Sequence, residues 1–124
     1  MTVNMAQLSV ERERYVLALE RDLNCLVQQL SSMPAVQRVI LFGSYATGRR
    51  DLLTGLDLLV VMESPLDFVT RCAELARHLR ADVALDLLVY TPQEMEHMRE
   101  RPFLRQALKS GKVLYEKRSI DDGL

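Results

Sequence analysis

The sequence predicts an α+β fold with α/β-like character, a small mixed β-sheet covered by helices, in one domain spanning 1–124. Three observations carry this. Apolar residues recur at helical spacing from Val10 to Leu30, and an aliphatic segment bounded by Pro34 and Gly43 follows. Two further aliphatic segments, each broken by a single acid, flank a second helical stripe, which makes a strand-helix-strand unit and so a parallel or mixed sheet. A 14.2 kDa chain should bury roughly two-thirds of its extended surface, and 48% hydrophobic residues with 5 Gly and 4 Pro are enough for one globular core.

The elements follow in order. Val16, Leu19, Leu23, Leu26, Val27 and Leu30 form the apolar stripe of a helix over about 10–32, with Ser9 as the expected N-cap and Met33-Pro34 as its end. Val36 to Phe42 then reads as a buried strand stopped by Gly43, which opens a core expected over about 36–116. Leu56 to Met62 is a second strand, buried on both faces apart from Asp57. Its pairing with the first is open, since a loop joins them and an antiparallel arrangement is allowed.

Ser64-Pro65 is expected to start the crossover helix, whose stripe is Val69, Cys72, Ala73, Ala76 and Leu79. Val83 to Tyr90 is a third strand, interrupted by Asp86, and Thr91-Pro92-Gln93-Glu94 is a capping box for a short helix that Pro102 restarts. Gly111 is expected as the C′ residue of the last helix, before a small edge strand over Lys112 to Tyr115. A flexible tail is expected over 117–124. Neither an internal repeat nor a linker is visible.

Charge and cysteines narrow the function classes. Sixteen Lys and Arg against seventeen Asp and Glu give a net charge of -1, which disfavours a long nucleic acid as partner. Thirteen of the sixteen cations are Arg, most of them expected on solvated surface. The N-terminus has no apolar leader, and the longest aliphatic run, Leu58 to Met62, is far short of a membrane span, so a cytoplasmic protein without membrane contact is expected. Cys25 and Cys72 have no ligand at zinc spacing and are expected as two reduced, buried thiols.

The residues that suggest chemistry lie after the strand ends. Gly43-Ser44-Tyr45-Ala46-Thr47-Gly48 follows the first strand directly, where two glycines can let backbone N–H groups approach a phosphate, or, if the stretch stood by itself, form a plain turn without a ligand. It is not a P-loop, because Arg49-Arg50 replaces the Lys-Ser/Thr pair. Asp57 and Asp86 stand in strands that otherwise hold only aliphatic residues, and two buried neighbouring acids repel unless they are paired or hold a metal. On spacing alone, pairing with Arg38, Arg49 or Arg50 and a divalent metal site remain equal alternatives. His78 and His97 lack partners at ligand spacing and are assigned to surface or capping roles, and Met95 and Met98 to core or subunit contact. Glu11-Arg12-Glu13-Arg14 reads as a solvated helix face.

In these segments the sequence resembles the minimal nucleotidyltransferases of the DNA polymerase β superfamily. Their pattern is a strand, Gly-Ser, a loop of fixed length, Asp-x-Asp, and a third Asp on a later strand. Phe42-Gly43-Ser44-Tyr45-Ala46, Leu56-Asp57-Leu58-Leu59-Val60 and Leu85-Asp86-Leu87-Leu88-Val89-Tyr90-Thr91-Pro92 match it, and Phe103-Leu104 through Leu114-Tyr115 is similar to the closing helix and strand. The resemblance implies the nucleotidyltransferase fold, Gly43, Ser44 and Arg49 at the nucleotide, and Asp57 and Asp86 as catalytic and metal-binding carboxylates. It also implies Mg²⁺ or Mn²⁺, ATP or another NTP as donor, and transfer of an NMP, AMP foremost, to an acceptor hydroxyl.

The resemblance further implies a helical HEPN-type protein partner, the chain acting as its antitoxin, and it leaves room for a homo-oligomer. A protein Tyr, an antibiotic or an RNA end are the acceptors in view, RNA the least favoured by charge. One position departs from the pattern: Thr54-Gly55-Leu56-Asp57 stands where the family has Ser-Asp-x-Asp, so Gly55 replaces the first metal-binding Asp. Loss of that ligand is expected to weaken metal binding by about 10- to 100-fold or more and to lower activity. Asp51 is a candidate substitute, and Arg49 and Arg50 are candidates for the phosphate-facing Arg that many relatives carry where Thr47 stands. The alternative is an inactive domain of the same fold that binds a protein or a nucleotide.

Overall fold

The computed structural model describes residues 4–118, so the tail expected over 117–124 lies outside the described residues from 119 on. The element order is α1 (Met5–Ser31), β1 (Val36–Phe42), α2 (Gly43–Ala46), β2 (Leu56–Met62), α3 (Phe68–His78), β3 (Leu85–Tyr90), α4 (Pro92–Met98), α5 (Pro102–Ser110) and β4 (Lys112–Glu116). The four strands form one mixed sheet in the order β3-β2-β1-β4. β1 runs antiparallel to both β2 and β4, while β2 and β3 are parallel across the α3 crossover.

Period-two alternation divides the side chains between two faces. Leu56, Leu58 and Val60 of β2, with Val39, Leu41 and Val89, meet Leu19, Leu26 and Leu30 of α1 and Leu75 of α3. Leu59 and Val61, with Ile40 and Tyr90, meet Met95 of α4 and Leu104 of α5 on the other side. β2 is therefore covered on both faces, as its aliphatic run predicts. Met95 is a core residue, and both histidines are exposed.

Several expectations need correction. α1 begins five residues before Val10, because Asn4, not Ser9, caps it: the Asn4 Oδ1 accepts from the Gln7 N–H at 2.9 Å, and the Gln7 Oε1 accepts from the Asn4 N–H at 3.1 Å. These first turns are exposed, so they carry no apolar period to read. α3 starts at Phe68 behind Asp67, whose carboxylate accepts from the Thr70 N–H at 2.9 Å, while Ser64 closes a separate turn onto Leu66. Gly111 is no left-handed C′ residue (φ −78°); glycine is needed there because a Cβ would sit 2.8 Å from Ile40 Cγ2. Cys25 is exposed and Cys72 half-buried, and both are free.

Buried polar side chains tie the layers together across long sequence separations. Asp22 of α1, 5% exposed, accepts from the backbone N–H groups of Asp82 (2.7 Å) and Val83 (3.0 Å), which fixes the turn entering β3. Asp22→Ala strands both donors, and the expected result is a loss of about 2–3 kcal/mol in denaturant unfolding; a loss below about 0.5 kcal/mol would show that the turn holds itself. The outer edge of β3 is closed by α3. Cys72 Sγ accepts from the Val89 N–H at 3.4 Å, and Arg71 Nη1 donates to the Val89 carbonyl at 2.8 Å.

Candidate functional site

The sequence-singled residues gather where β1 ends and β2 and β3 begin. Phe42 is paired with Asp57 across the antiparallel β1–β2 register, and Asp57 with Asp86 across the parallel β2–β3 register. By alternation all three point to the face covered by α4 and α5, in a row across three strands. Asp57 is half-buried, whereas Asp86 is exposed, a correction to the expectation of two buried acids. An edge strand leaves its first residues open to solvent, and sequence alone does not say which strand is the edge.

Neither acid is paired with an arginine in the way the ion-pair alternative expects. Arg49 Nε donates to Asp51 Oδ2 at 2.8 Å, and Arg50 donates to the Tyr45 and Arg49 carbonyls, both at 2.8 Å, with its guanidinium 3.5 Å over the Tyr45 ring. Asp57 and Asp86 instead face each other. Desolvation first, then the hydrogen bond and charge of Asp86, raise the Asp57 carboxyl above the ordinary aspartate range.

Gly43 is pressed against the same carboxylate. Its φ is +76°, and a Cβ there would lie 2.7 Å from the Asp57 carboxyl carbon. Glycine is thus required twice over, by the left-handed backbone and by the approach of Asp57. Ser44 follows on α2, whose Tyr45 and Ala46 are buried under the first layer of helices. The Gly-Ser turn and the acid pair form one continuous surface.

The loop into β2 is closed on itself. Asp51 accepts from the Leu53 N–H (2.8 Å) and the Thr54 hydroxyl (3.1 Å), the fully buried Thr54 accepts from the Asp51 N–H at 3.0 Å, and Tyr15 of α1 donates to the Thr54 carbonyl at 2.6 Å. The hydrogen bond from Arg49 is the chief cause that holds the Asp51 carboxyl below the ordinary aspartate range. Asp51 is therefore committed to its own loop and to Arg49, away from the role of substitute ligand. Tyr15 stands 39 residues from Thr54, a contact that no local pattern signals.

Two carboxylates, and no cluster of three His, Cys, Asp or Glu among the described residues, stand at this surface. A like-charged pair with a raised carboxyl suits one divalent cation, which would relieve the repulsion; it falls short of the ligand set that two cations need. Gly55 stands two residues before Asp57. Its φ is not positive, and a Cβ would lie 3.3 Å from the Ala84 carbonyl oxygen, so a side chain fits with a small adjustment.

A family model described as "Polymerase beta, Nucleotidyltransferase" matches residues 24–120. The chain belongs to this nucleotidyltransferase family. The match spans α1 from Asn24 onward and the whole sheet, including Gly43, Ser44, Asp57 and Asp86. A structure from Sulfolobus solfataricus, described as a nucleotidyltransferase, shares the fold at 18% identity and a TM-score of 0.53, covering 94% of this chain and 93% of its own. A toxin-antitoxin complex with AMP-PNP is 26% identical over 83% of this chain and 77% of its own, with a TM-score of 0.48. The complex of a tri-AMPylated Shewanella oneidensis HEPN toxin with MNT antitoxin is 23% identical over 86% and 76%, with a TM-score of 0.42. No curated protein sequence matches the chain. Among the described residues no helix is long and apolar enough to cross a membrane.

Proposed function

We propose that this nucleotidyltransferase-family chain moves an NMP, AMP from ATP foremost, onto an acceptor hydroxyl, with one divalent cation and reduced turnover. The observation that carries the reading is the row Gly43–Asp57–Asp86, in which the Gly43-Ser44 turn abuts a carboxylate pair. Gly43 and Ser44 hold the phosphates through backbone and hydroxyl groups, and Asp57 and Asp86 hold Mg²⁺ or Mn²⁺. Bound there, the cation supplies charge neutralisation at the phosphate oxygens. The acceptor oxygen attacks the α-phosphorus, the bond to the bridging oxygen of the β-phosphate breaks, and pyrophosphate leaves. Asp86, the exposed member of the pair, takes the hydroxyl proton. Arg49 reaches the phosphates only by releasing Asp51.

The acceptor in this proposal is a hydroxyl of a helical HEPN-type protein, and the chain is its antitoxin-like partner in the cytoplasm. The support is the resemblance in sequence pattern, as above. Gly55 favours a second reading, an inactive domain that binds nucleotide or protein without transfer. The test is transfer from α-labelled ATP, with Mg²⁺ or Mn²⁺, to protein in a lysate of the source cell, using the wild type beside Gly55→Asp. Label from the wild type, raised about 10- to 100-fold in the variant, supports the enzyme. Label from the variant alone supports the binding module. Absence of label from both, together with no ATP binding, removes the enzyme and the nucleotide-binding module and leaves protein binding alone.

A further inference from the structure

We infer that the cleft between α2 and α5 is a nucleobase subsite, with Phe103 as its stacking surface and Gln106 as its base-reading group. It has a volume of about 210 Å³ and is bounded by Phe42, Gly43, Thr47, Phe103, Gln106 and Ser110. It shares Gly43 with the carboxylate row, so a ligand whose phosphates rest on Gly43 and Ser44 has this cleft beside it. The inference rests on that phosphate placement, taken from the proposed function.

The lining selects the ligand class. Phe103 is 53% exposed, unusual for an aromatic side chain, and meets Phe42 edge to face at 5.8 Å between centroids and 89° between planes. That geometry leaves a ring face free, and a free ring face takes a flat π-system. Phe103, Gln106 and Ser110 follow one another at spacings of three and four, so they share one side of α5. Ser110 spends its hydroxyl proton on the Gln106 carbonyl at 2.9 Å. The Gln106 side-chain amide makes no hydrogen bond among the described residues.

None of the lining residues is charged, so beyond the Gly43 backbone that it shares with the carboxylate row the cleft offers nothing to a phosphate or a carboxylate. What remains is a neutral, planar group that presents a donor beside an acceptor. The primary amide of Gln106 pairs in bidentate fashion with the amino group and ring nitrogen of adenine, and matches guanine, which presents two acceptors on that edge, less well.

The test compares three probes by calorimetry on the intact chain with Mg²⁺: ATP, GTP and inorganic tripolyphosphate. ATP is expected to bind roughly 10-fold or more tightly than tripolyphosphate. Phe103→Ala should erase that advantage and leave tripolyphosphate binding unchanged, which also reports an intact fold. Gln106→Leu, at an exposed position, should bring ATP and GTP to equal affinity. Equal binding of ATP and tripolyphosphate by the wild type, or an ATP advantage that survives Phe103→Ala, overturns the subsite while the phosphate cradle stands. Binding of none of the three overturns the cradle and the subsite together.

Discussion

Asp57→Asn is expected to cut Mg²⁺-dependent nucleotide binding and transfer by at least about 100-fold while raising Tm. The two effects have one cause. Asp57 is half-buried, flanked by Asp86 and pressed on by Gly43, and its carboxyl is raised chiefly by desolvation and then by Asp86. A carboxyl whose folded value lies above its unfolded one contributes stability that is complete below the unfolded value and is lost as pH rises through the folded value. Near neutrality wild-type Asp57 is therefore a cost to the fold, and Asn removes it, with an amide donor now facing Asp86. The melting difference should be largest at pH 7 and vanish below the ordinary aspartate value of 3.8. Thermal melts from pH 3 to 8, run beside ATP calorimetry, check both halves. Loss of binding with an unchanged or lower Tm at pH 7 would mean that the pair is not a strained, cation-seeking site.

The same row marks how far the sequence could be read. Asp57 and Asp86 stand out because nothing else in LDLLVVM or LDLLVY is polar, and the parallel crossover and the closing edge strand follow from strand spacing and connection length, whereas the loop between β1 and β2 allows either direction and only the fold makes that pair antiparallel. Gly43 stands out because it ends a strand. Its contact with Asp57 is a tertiary fact, as is the exposure of Asp86, which depends on β3 being the edge.

Helix starts were legible only where packing or proline supported them. Thr91-Pro92-Gln93-Glu94 forms the expected box, with the Thr91 N–H donating to Glu94 Oε1 at 2.9 Å. Ser9 and Ser64 are capping residues by type, yet Asn4 and Asp67 take the role, because the apolar stripe of α1 begins later than its helix and Ser64 closes a turn of its own ahead of α3. Contacts between distant segments, Tyr15 with Thr54 or Asp22 with Asp82 and Val83, have no local signature at all.

Arg71 is the clearest such case, and Arg71→Ala is expected to cost about 3–5 kcal/mol and lower Tm by roughly 10–20 °C. In the sequence it is one of thirteen arginines on a helix whose apolar stripe passes beside it. In the fold it is 4% exposed and holds four acceptors: the Val89 and Leu66 carbonyls, each at 2.8 Å, and both Glu94 oxygens at 2.6 and 3.1 Å. Truncation leaves those carbonyls unmet and the Glu94 carboxylate without its partner, while α4 loses its tie to α3. The hydrogen bond from Arg71, foremost, holds the Glu94 carboxyl below the ordinary glutamate range. Stability from that pairing is present above the unfolded carboxylate value and is lost as pH falls through the lower folded value. Wild type should therefore lose stability in acid over a range where Arg71→Ala is flat. Arg71→Met combined with Glu94→Gln fills the volume and keeps the capping box, so it should recover more than half of the loss. If Arg71→Ala alone unfolds within about 1 kcal/mol of wild type, the guanidinium is an ornament of the edge strand and β3 is held by its apolar contacts.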